Sequence, residues 1–247
     1  MAPLITLLTD FGTSDSYVAE VKAVLLSRAL GAALVDVTHQ IPPGDVRSAQ
    51  YVLARVWHRF PEGTVHLVVV DPGVGTSRRA LAAEAAGHYF VAPDNGVLSP
   101  LPADARFFEL PVPPGAAPSF HGRDLFAPAA AELATGTALA HLGSPIADPY
   151  RVPLPAPHFD GTAVRGEVIY VDRFGTLISN IPGGRVEPGV RIKVAGTEVG
   201  VLRRTFGDVE RGQLVAFVGS GGAVEIAVRD GSAARLLGVG VGAEVRA

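Results

Sequence analysis

The sequence predicts an α/β domain with a mainly parallel sheet, followed by a smaller all-β domain that is either a barrel or a sandwich. Three observations predict it. Short apolar runs alternate with helically spaced segments over residues 4–71. A proline-dense stretch holding Pro145, Pro149, Pro153, Pro155 and Pro157 then interrupts the chain. Beyond it come short apolar runs separated by glycine turns. Proline density marks a semi-rigid connection, so domains are expected over residues 1–150 and 165–247, with a linker at 151–164.

In order, Leu4–Thr9 is a first strand that ends at Asp10-Phe11-Gly12. From Asp15 to Leu30, Val18, Val21, Leu25 and Leu26 recur near helical spacing. Asp15 or Ser16 serves as N-cap and Gly31 as the stop. Ala33–Val37 is a second strand, and Pro42 and Pro43 make Thr38–Gly44 a loop. Asp45 opens a second helix through Ala49, Val52, Leu53 and Val56. The run V-H-L-V-V-V that follows reads as a strand buried on both faces, with Asp71 at its carboxyl end. Strand, helix, strand, helix, strand is a βαβαβ unit. No G-x-G-x-x-G follows the first strand, so the dinucleotide fingerprint is absent.

Ala80–Ala86 and His88–Ala92 form a strand pair across Gly87, Pro93-Asp94-Asn95-Gly96 is a turn, and Phe107–Leu110 is a strand. Asp124 lies near the start of a helix at Leu125–Leu133. In the second domain, strands are expected at Val168–Val171, Leu177–Ile178, Val190–Val194, Val199–Leu202, Leu214–Val218 and Val224–Val228, with a short helix at Ser232–Leu237.

Composition excludes several function classes. With 48% hydrophobic and 18% charged residues, the chain can bury a core. Its net charge is −3 and it has no basic block, which disfavours nucleic-acid binding. It has no cysteine, which removes disulfides, thiolate metal sites and a thiol nucleophile. The opening M-A-P-L-I-T-L-L-T-D lacks a basic segment and is too short an apolar run for a signal peptide or membrane span. A soluble cytoplasmic protein is expected.

Acids or histidines follow apolar runs at Asp10, His39, Asp71, Asp94, His121 and Asp172. Loops after parallel strands converge on one sheet edge, where ligands bind. Gly73 and Gly75 let the backbone after Asp71 turn sharply, and Arg78 brings a cation back toward the carboxylate. Taken singly, each group also reads as a cap or a turn residue, Asp94 above all. His66 reads as structural, and His58 and His88 as surface or edge residues. Two chemistries suit a His/Asp set without cysteine. One is a metal-assisted hydrolase, although no H-x-H or H-E-x-x-H spacing occurs. The other is metal-free substitution, in which a carboxylate, a guanidinium and an imidazole hold one water.

Several motifs occur in a fixed order: T-D-F-G at Thr9–Gly12, D-V-T-H at Asp36–His39, D-P-G-V-G-T-S-R-R at Asp71–Arg79, P-D-N-G at Pro93–Gly96 and F-H-G-R-D at Phe120–Asp124. The Val171–Ile181 stretch and S-G-G-A-V-E-I-A-V-R-D-G-S-A-A near the end complete the set. Together they resemble the S-adenosyl-L-methionine hydroxide adenosyltransferases, the hydrolase branch of the fluorinase and chlorinase superfamily. The resemblance implies a Rossmann-like α/β domain, a carboxy-terminal β-barrel and a homotrimer with active sites between subunits. It also implies cleavage of S-adenosyl-L-methionine to adenosine and L-methionine without a cofactor or metal. Asp71, Arg78 and His121 match the water-handling residues, and an acid at position 71 argues for hydroxide over halide. Asp10 matches the carboxylate that holds the ribose hydroxyls. Asp15, Asp172 and Ser220 match positions at the methionine end, and Asp15 reads equally as a helix cap. Arg229 to Gly231 lies where relatives hold adenine, and Phe174 suits packing near a purine. Thr176, Gly44 and Gly221 depart from the residues that relatives carry near adenine and the substrate carboxylate.

The charges involved favour such a reaction. A sulfonium is neutralised when an oxygen displaces it, which a dry pocket favours. Arg78 and a protonated His121 suit an oxyanion, and Asp71 suits a water proton. Asp71 and Arg78 are expected to orient the water while His121 helps with the proton or the developing charge, and the sequence leaves open which residue takes the proton. The remaining reading, of another class, is a non-catalytic nucleoside-binding protein on the same scaffold.

Overall fold

In the computed structural model of the chain, β1 (Leu4–Thr9), α1 (Tyr17–Arg28), β2 (Ala33–Thr38), α2 (Val46–Val56) and β3 (Val65–Val69) build the expected βαβαβ unit. Residues 3–161 and 163–247 are described; Met1, Ala2 and Thr162, the last inside the expected linker, lie outside the described residues. The chain divides into two units, Met1–Pro153 and Leu154–Ala247.

In the first unit the chain continues through β4 (Ala80–Ala85), β5 (His88–Pro93), β6 (Arg106–Leu110), α3 (Ala127–Ala134), α4 (Leu139–Leu142) and β7 (Ser144–Ile146). The strands lie in the order β2-β1-β3-β5-β4-β6-β7. The pairs β1–β2, β1–β3 and β3–β5 are parallel. The pairs β4–β5, β4–β6 and β6–β7 are antiparallel, so five of the seven strands point one way. Alternation along β3 explains its continuous apolar run. Leu67 and Val69 pack with Val21 and Leu25 of α1 and the alanines of α3 on one face. Val68 and Val70 pack with Ala49 and Leu53 of α2 on the other. Small side chains at Ala127, Ala130 and Ala131 let α3 lie close to the sheet.

Local chemistry sets the helix ends. Asp45 caps α2 by accepting the N–H of Ser48, as the loop before it suggested. Ser16 takes the N-cap position of α1 without a side-chain capping bond, so neither it nor Asp15 caps by hydrogen bond. The helix expected at Leu125–Leu133 begins instead with a wider turn, Gly122–Phe126, in which Ala127 N–H reaches back to Gly122 O. Asp124 sits inside this turn, paired with Arg123 and accepting the N–H of Ala117. Pro145 lies in β7 opposite Phe108, where an edge strand tolerates a residue without an N–H. His88 corrects an expectation: it is buried, not at the surface, against Trp57 and 3.3 Å from His66. His66 is structural as expected, 2.8 Å from the Thr6 hydroxyl across the β1–β3 register. Burial pushes its pKa down to about 3.

The second unit holds β8 (His158–Asp160), β9 (Ala163–Val171), β10 (Leu177–Pro182), β11 (Arg191–Val194), β12 (Thr197–Arg203), β13 (Leu214–Val218), β14 (Ala223–Val228), α5 (Ala233–Leu237) and β15 (Glu244–Arg246). The order β10-β14-β13-β12-β11-β15-β9 closes through a β9–β10 pairing, which settles barrel against sandwich. Val164, Val168, Ile192, Ile226 and Val245 are among the buried residues inside it. The closing strand β15 was not legible in the sequence, because A-E-V-R carries a single large apolar residue. No helix among the described residues is long and apolar enough to cross a membrane.

Candidate functional site

The carboxyl ends of the parallel strands deliver the first group of side chains. Asp71 follows β3, and its loop folds back so that Arg78 donates from Nε to both carboxylate oxygens, at 3.1 and 2.9 Å. Arg78 Nη2 also contacts Asp71 Oδ2. The loop needs Gly75: its φ is +77°, and a Cβ there would stand 2.8 Å from Pro118 O. That close approach brings in the segment that carries His121, whose Nδ1 lies 2.9 Å from Arg78 Nη2. The guanidinium rests over the Phe126 ring, 5.1 Å from its centroid. Sequence reasoning missed that platform, because Phe126 reads as a core helix residue.

The pair is nearly dry, with side-chain exposures of 9% for Arg78 and 5% for Asp71. A buried ion pair stabilises a fold no better than well-packed apolar residues do, so its presence points to chemistry. A guanidinium only donates, so His121 Nδ1 accepts and the imidazole is neutral, with its proton on Nε2. Burial, then the neighbouring positive charge of Arg78, push its pKa below the usual 6.5. Of the two charge states the sequence left open for His121, this arrangement fits the neutral one. Arg78 Nη1 is buried and has no hydrogen-bond partner among the described residues. An orphaned buried donor is costly and marks a group poised for something other than protein.

Asp10, after β1, accepts the N–H of Gly44 at 2.8 Å, and Gly44 in turn approaches Pro72. Phe11 packs against Gly122, beside His121. Asp10, His39, Asp71 and His121 are thus gathered around the loops at one sheet edge. Asp94 is held by Arg79 and by the N–H of Tyr150 in a structural role. Asp15 is exposed in the turn before α1. Phe11, Tyr17 and Phe120 form an aromatic cluster that sequence reasoning also missed, with Tyr17 and Phe120 centroids 5.3 Å apart. No three His, Asp or Glu side chains among the described residues are arranged to hold a metal ion.

The second group lies on the barrel around a groove of about 850 Å³. Asp172, Phe174, Arg229 and Gly231 line it, with Thr176 and Phe206. The β9–β10 turn is folded by Asp172, whose Oδ1 accepts the N–H groups of Phe174 and Thr176 at 2.9 and 2.8 Å. This Asx-type turn leaves Phe174 76% exposed, unusual for a large apolar ring. Gly175 is required, since its φ is +82° and a Cβ would meet Ser232 Oγ at 1.9 Å. Arg229 spends its own N–H and C=O on Gln213 and Gly212. Ser220 lies in the exposed β13–β14 turn and is not among the residues lining the groove.

Residues 5–143 match the SAM hydroxide adenosyltransferase N-terminal domain, and residues 166–246 match the C-terminal domain of that family. The chain is 46% identical to the (R)-S-adenosyl-L-methionine hydrolase of Thermus thermophilus over 97% of each chain. It is 40% identical to the enzyme of that name in Salinispora tropica, covering 99% of this chain and 97% of the relative. A fluorinase of an Actinoplanes species stands further off, 29% identical over 72% of each chain. An uncharacterized conserved protein from Thermotoga maritima, solved by crystallography, has the same fold, with a TM-score of 0.89 and 37% identity over 98% of both chains. The resemblance read from the motifs is therefore borne out, and with both domain matches in order along nearly the whole length, the chain belongs to the SAM hydroxide adenosyltransferase family.

Proposed function

We infer that the protein hydrolyses S-adenosyl-L-methionine to adenosine and L-methionine, by attack of a water-derived oxygen at C5′. The names of the Thermus and Salinispora relatives support the substrate and the hydrolysis. The Asp71–Arg78–His121 cluster is the observation that carries the reading.

An O–C5′ bond forms as the C5′–S bond breaks, and that electron pair stays on sulfur. The sulfonium becomes a neutral thioether, and one proton leaves the water. Merging opposite charges is favoured in a site as dry as the Asp71–Arg78 pair. Arg78 engages its neighbours through Nε and Nη2, so Nη1 is the donor for the attacking oxygen. Neutral His121, with Nδ1 occupied, donates from Nε2 and takes no proton there. Asp71 is the remaining acceptor and takes the proton from water. An anionic side chain at this position disfavours halide in place of water.

Asp10 holds the ribose hydroxyls, since a carboxylate can accept both. Phe174 offers a face to the purine, and adenine is held by backbone groups of Asp230 and by the C=O of Gly231, given that Arg229 has spent its own N–H and C=O and the Gly231 N–H donates to Val228 O. Asp172 meets the substrate ammonium with Oδ2, because Oδ1 is committed to the turn. Asp15 and Ser220 complete the methionine end. A homotrimer with active sites between subunits belongs to the same reading, and sedimentation of the purified protein tests it.

The decisive experiment is incubation of purified protein with S-adenosyl-L-methionine, with and without chelator and chloride, followed by chromatography. Equal amounts of adenosine and methionine, unaffected by chelator, are expected. A chlorinated nucleoside, loss of activity with chelator, or bound but uncleaved substrate would overturn the assignment.

A further inference from the structure

The sequence singles out His39 together with Asp71 and His121, yet the reaction above gives it no part. His39 is 5% exposed and lies where the loops after β1 and β2 meet. Its Nδ1 is 2.8 Å from the hydroxyl of Thr9. Its Nε2 is 3.1 Å from Asp36 Oδ1, close but poorly aligned for a hydrogen bond. Lys22 Nζ holds the other Asp36 oxygen at 2.6 Å. The imidazole is thus held at Nδ1 from the inside by a buried hydroxyl, with the paired Asp36 carboxylate lying against Nε2 on the outside.

These contacts lead to Asp10. The Thr9 hydroxyl also accepts the N–H of Phe11 at 3.3 Å. The main-chain oxygen of His39 accepts the N–H of Gly12 at 2.8 Å. Residues 9, 11 and 12 are therefore tied to His39 or to its partner, and residue 10 has little freedom left. From the other loop, Gly44 N–H reaches the Asp10 carboxylate at 2.8 Å.

We propose that His39 is the positioning residue for Asp10: pinned between Thr9 and Asp36, its imidazole locks the two loops so that the Asp10 carboxylate stands ready for the vicinal diol of a ribose. The proposal rests on the assignment of Asp10 to the ribose given above. His39 touches no substrate. A purely space-filling histidine would be replaced without loss by a side chain of similar volume, and this is what separates the two roles.

The test compares binding of adenosine and 2′,3′-dideoxyadenosine by calorimetry. The wild-type protein should prefer adenosine by about a hundredfold, the scale of two hydrogen bonds to a charged acceptor. His39→Phe, which keeps the volume and removes the polar atoms, should cut that preference about tenfold, and His39→Ala likewise. His39→Asn, which keeps a partner for Thr9, should stay within about threefold of wild type. Asp36→Asn alters only the half-exposed outer anchor, leaves the interior intact and should lower the preference about threefold. Undiminished preference in both His39→Phe and Asp36→Asn would overturn the positioning role. A preference near one in the unaltered protein would remove Asp10 from the ribose, a failure of the underlying assignment that shows before any substitution is made.

Discussion

The cluster at the edge of the parallel sheet is made of side chains, whereas the groove on the barrel is made of turns. Around Asp71 the informative groups are an ion pair, an imidazole and an orphaned guanidinium nitrogen, all nearly out of water. Around Phe174 a carboxylate is spent on folding its own loop, and the ring it presents is 76% exposed. Side-chain charge held in a dry site is suited to stabilising charge that changes during a reaction. An exposed ring on a rigid turn is suited to catching a flat, weakly polar partner. On the proposed reading, the sheet-edge cluster carries the rate and holds the ribose through Asp10, while the barrel groove adds recognition of the purine, so substitutions at Asp71 and Arg78 should separate from those at Phe174 in kcat and KM.

The sharpest way to break that division is Asp71→Asn, which keeps the shape and removes the charge. It should lower kcat by about 10³ with KM little changed, read by single-turnover kinetics. Arg78→Lys keeps a cation but loses the fork that spans Asp71 and His121, and should cost about 10² in kcat. On the barrel, Gly175→Ala should lower stability by about 2 kcal/mol, seen as an earlier thermal unfolding midpoint. Phe174→Ala should raise KM about tenfold while leaving kcat in place; a fall in kcat instead would erase the division of labour. The mildest effect is on pH. A neutral His121 is required and its pKa lies below 6.5, so kcat/KM should stay level as pH falls toward 6.5 and decline only below it. A decline beginning above pH 7 would mean that the imidazole is not held neutral by burial and Arg78.

How much was legible differs between the same two regions. β3 was readable because both of its faces are buried, and a short, β-branched apolar run bounded by turn residues fits a strand inside a sheet. The Asp71–Arg78 pair was readable because a glycine-rich loop joins two residues that stand seven positions apart. On the barrel, Asp172 was readable as the start of a turn and Phe174 as a ring suited to a purine, but the two hydrogen bonds by which Asp172 Oδ1 holds that turn, and the exposure of the ring it presents, were not. The protonation of His121 was not readable. Its sequence neighbour Arg123 points to Asp124, and the cation that decides its charge is Arg78, brought from 43 residues away.

The sequence alone determined the βαβαβ order of the first unit and the succession of the longer barrel strands, the absence of thiol chemistry, the family motifs and the local return of Arg78 to Asp71. Each of these is set by periodicity, composition or a short turn, and so by interactions between residues close in the chain. Only the tertiary structure decided that His121 accepts from Arg78, that Phe126 lies beneath the guanidinium, that His39 ties two loops together, and that β15 closes the barrel. Those outcomes depend on contacts between distant segments and on exclusion from water, and neither charge state nor closure can be read from a residue until its neighbours are in place.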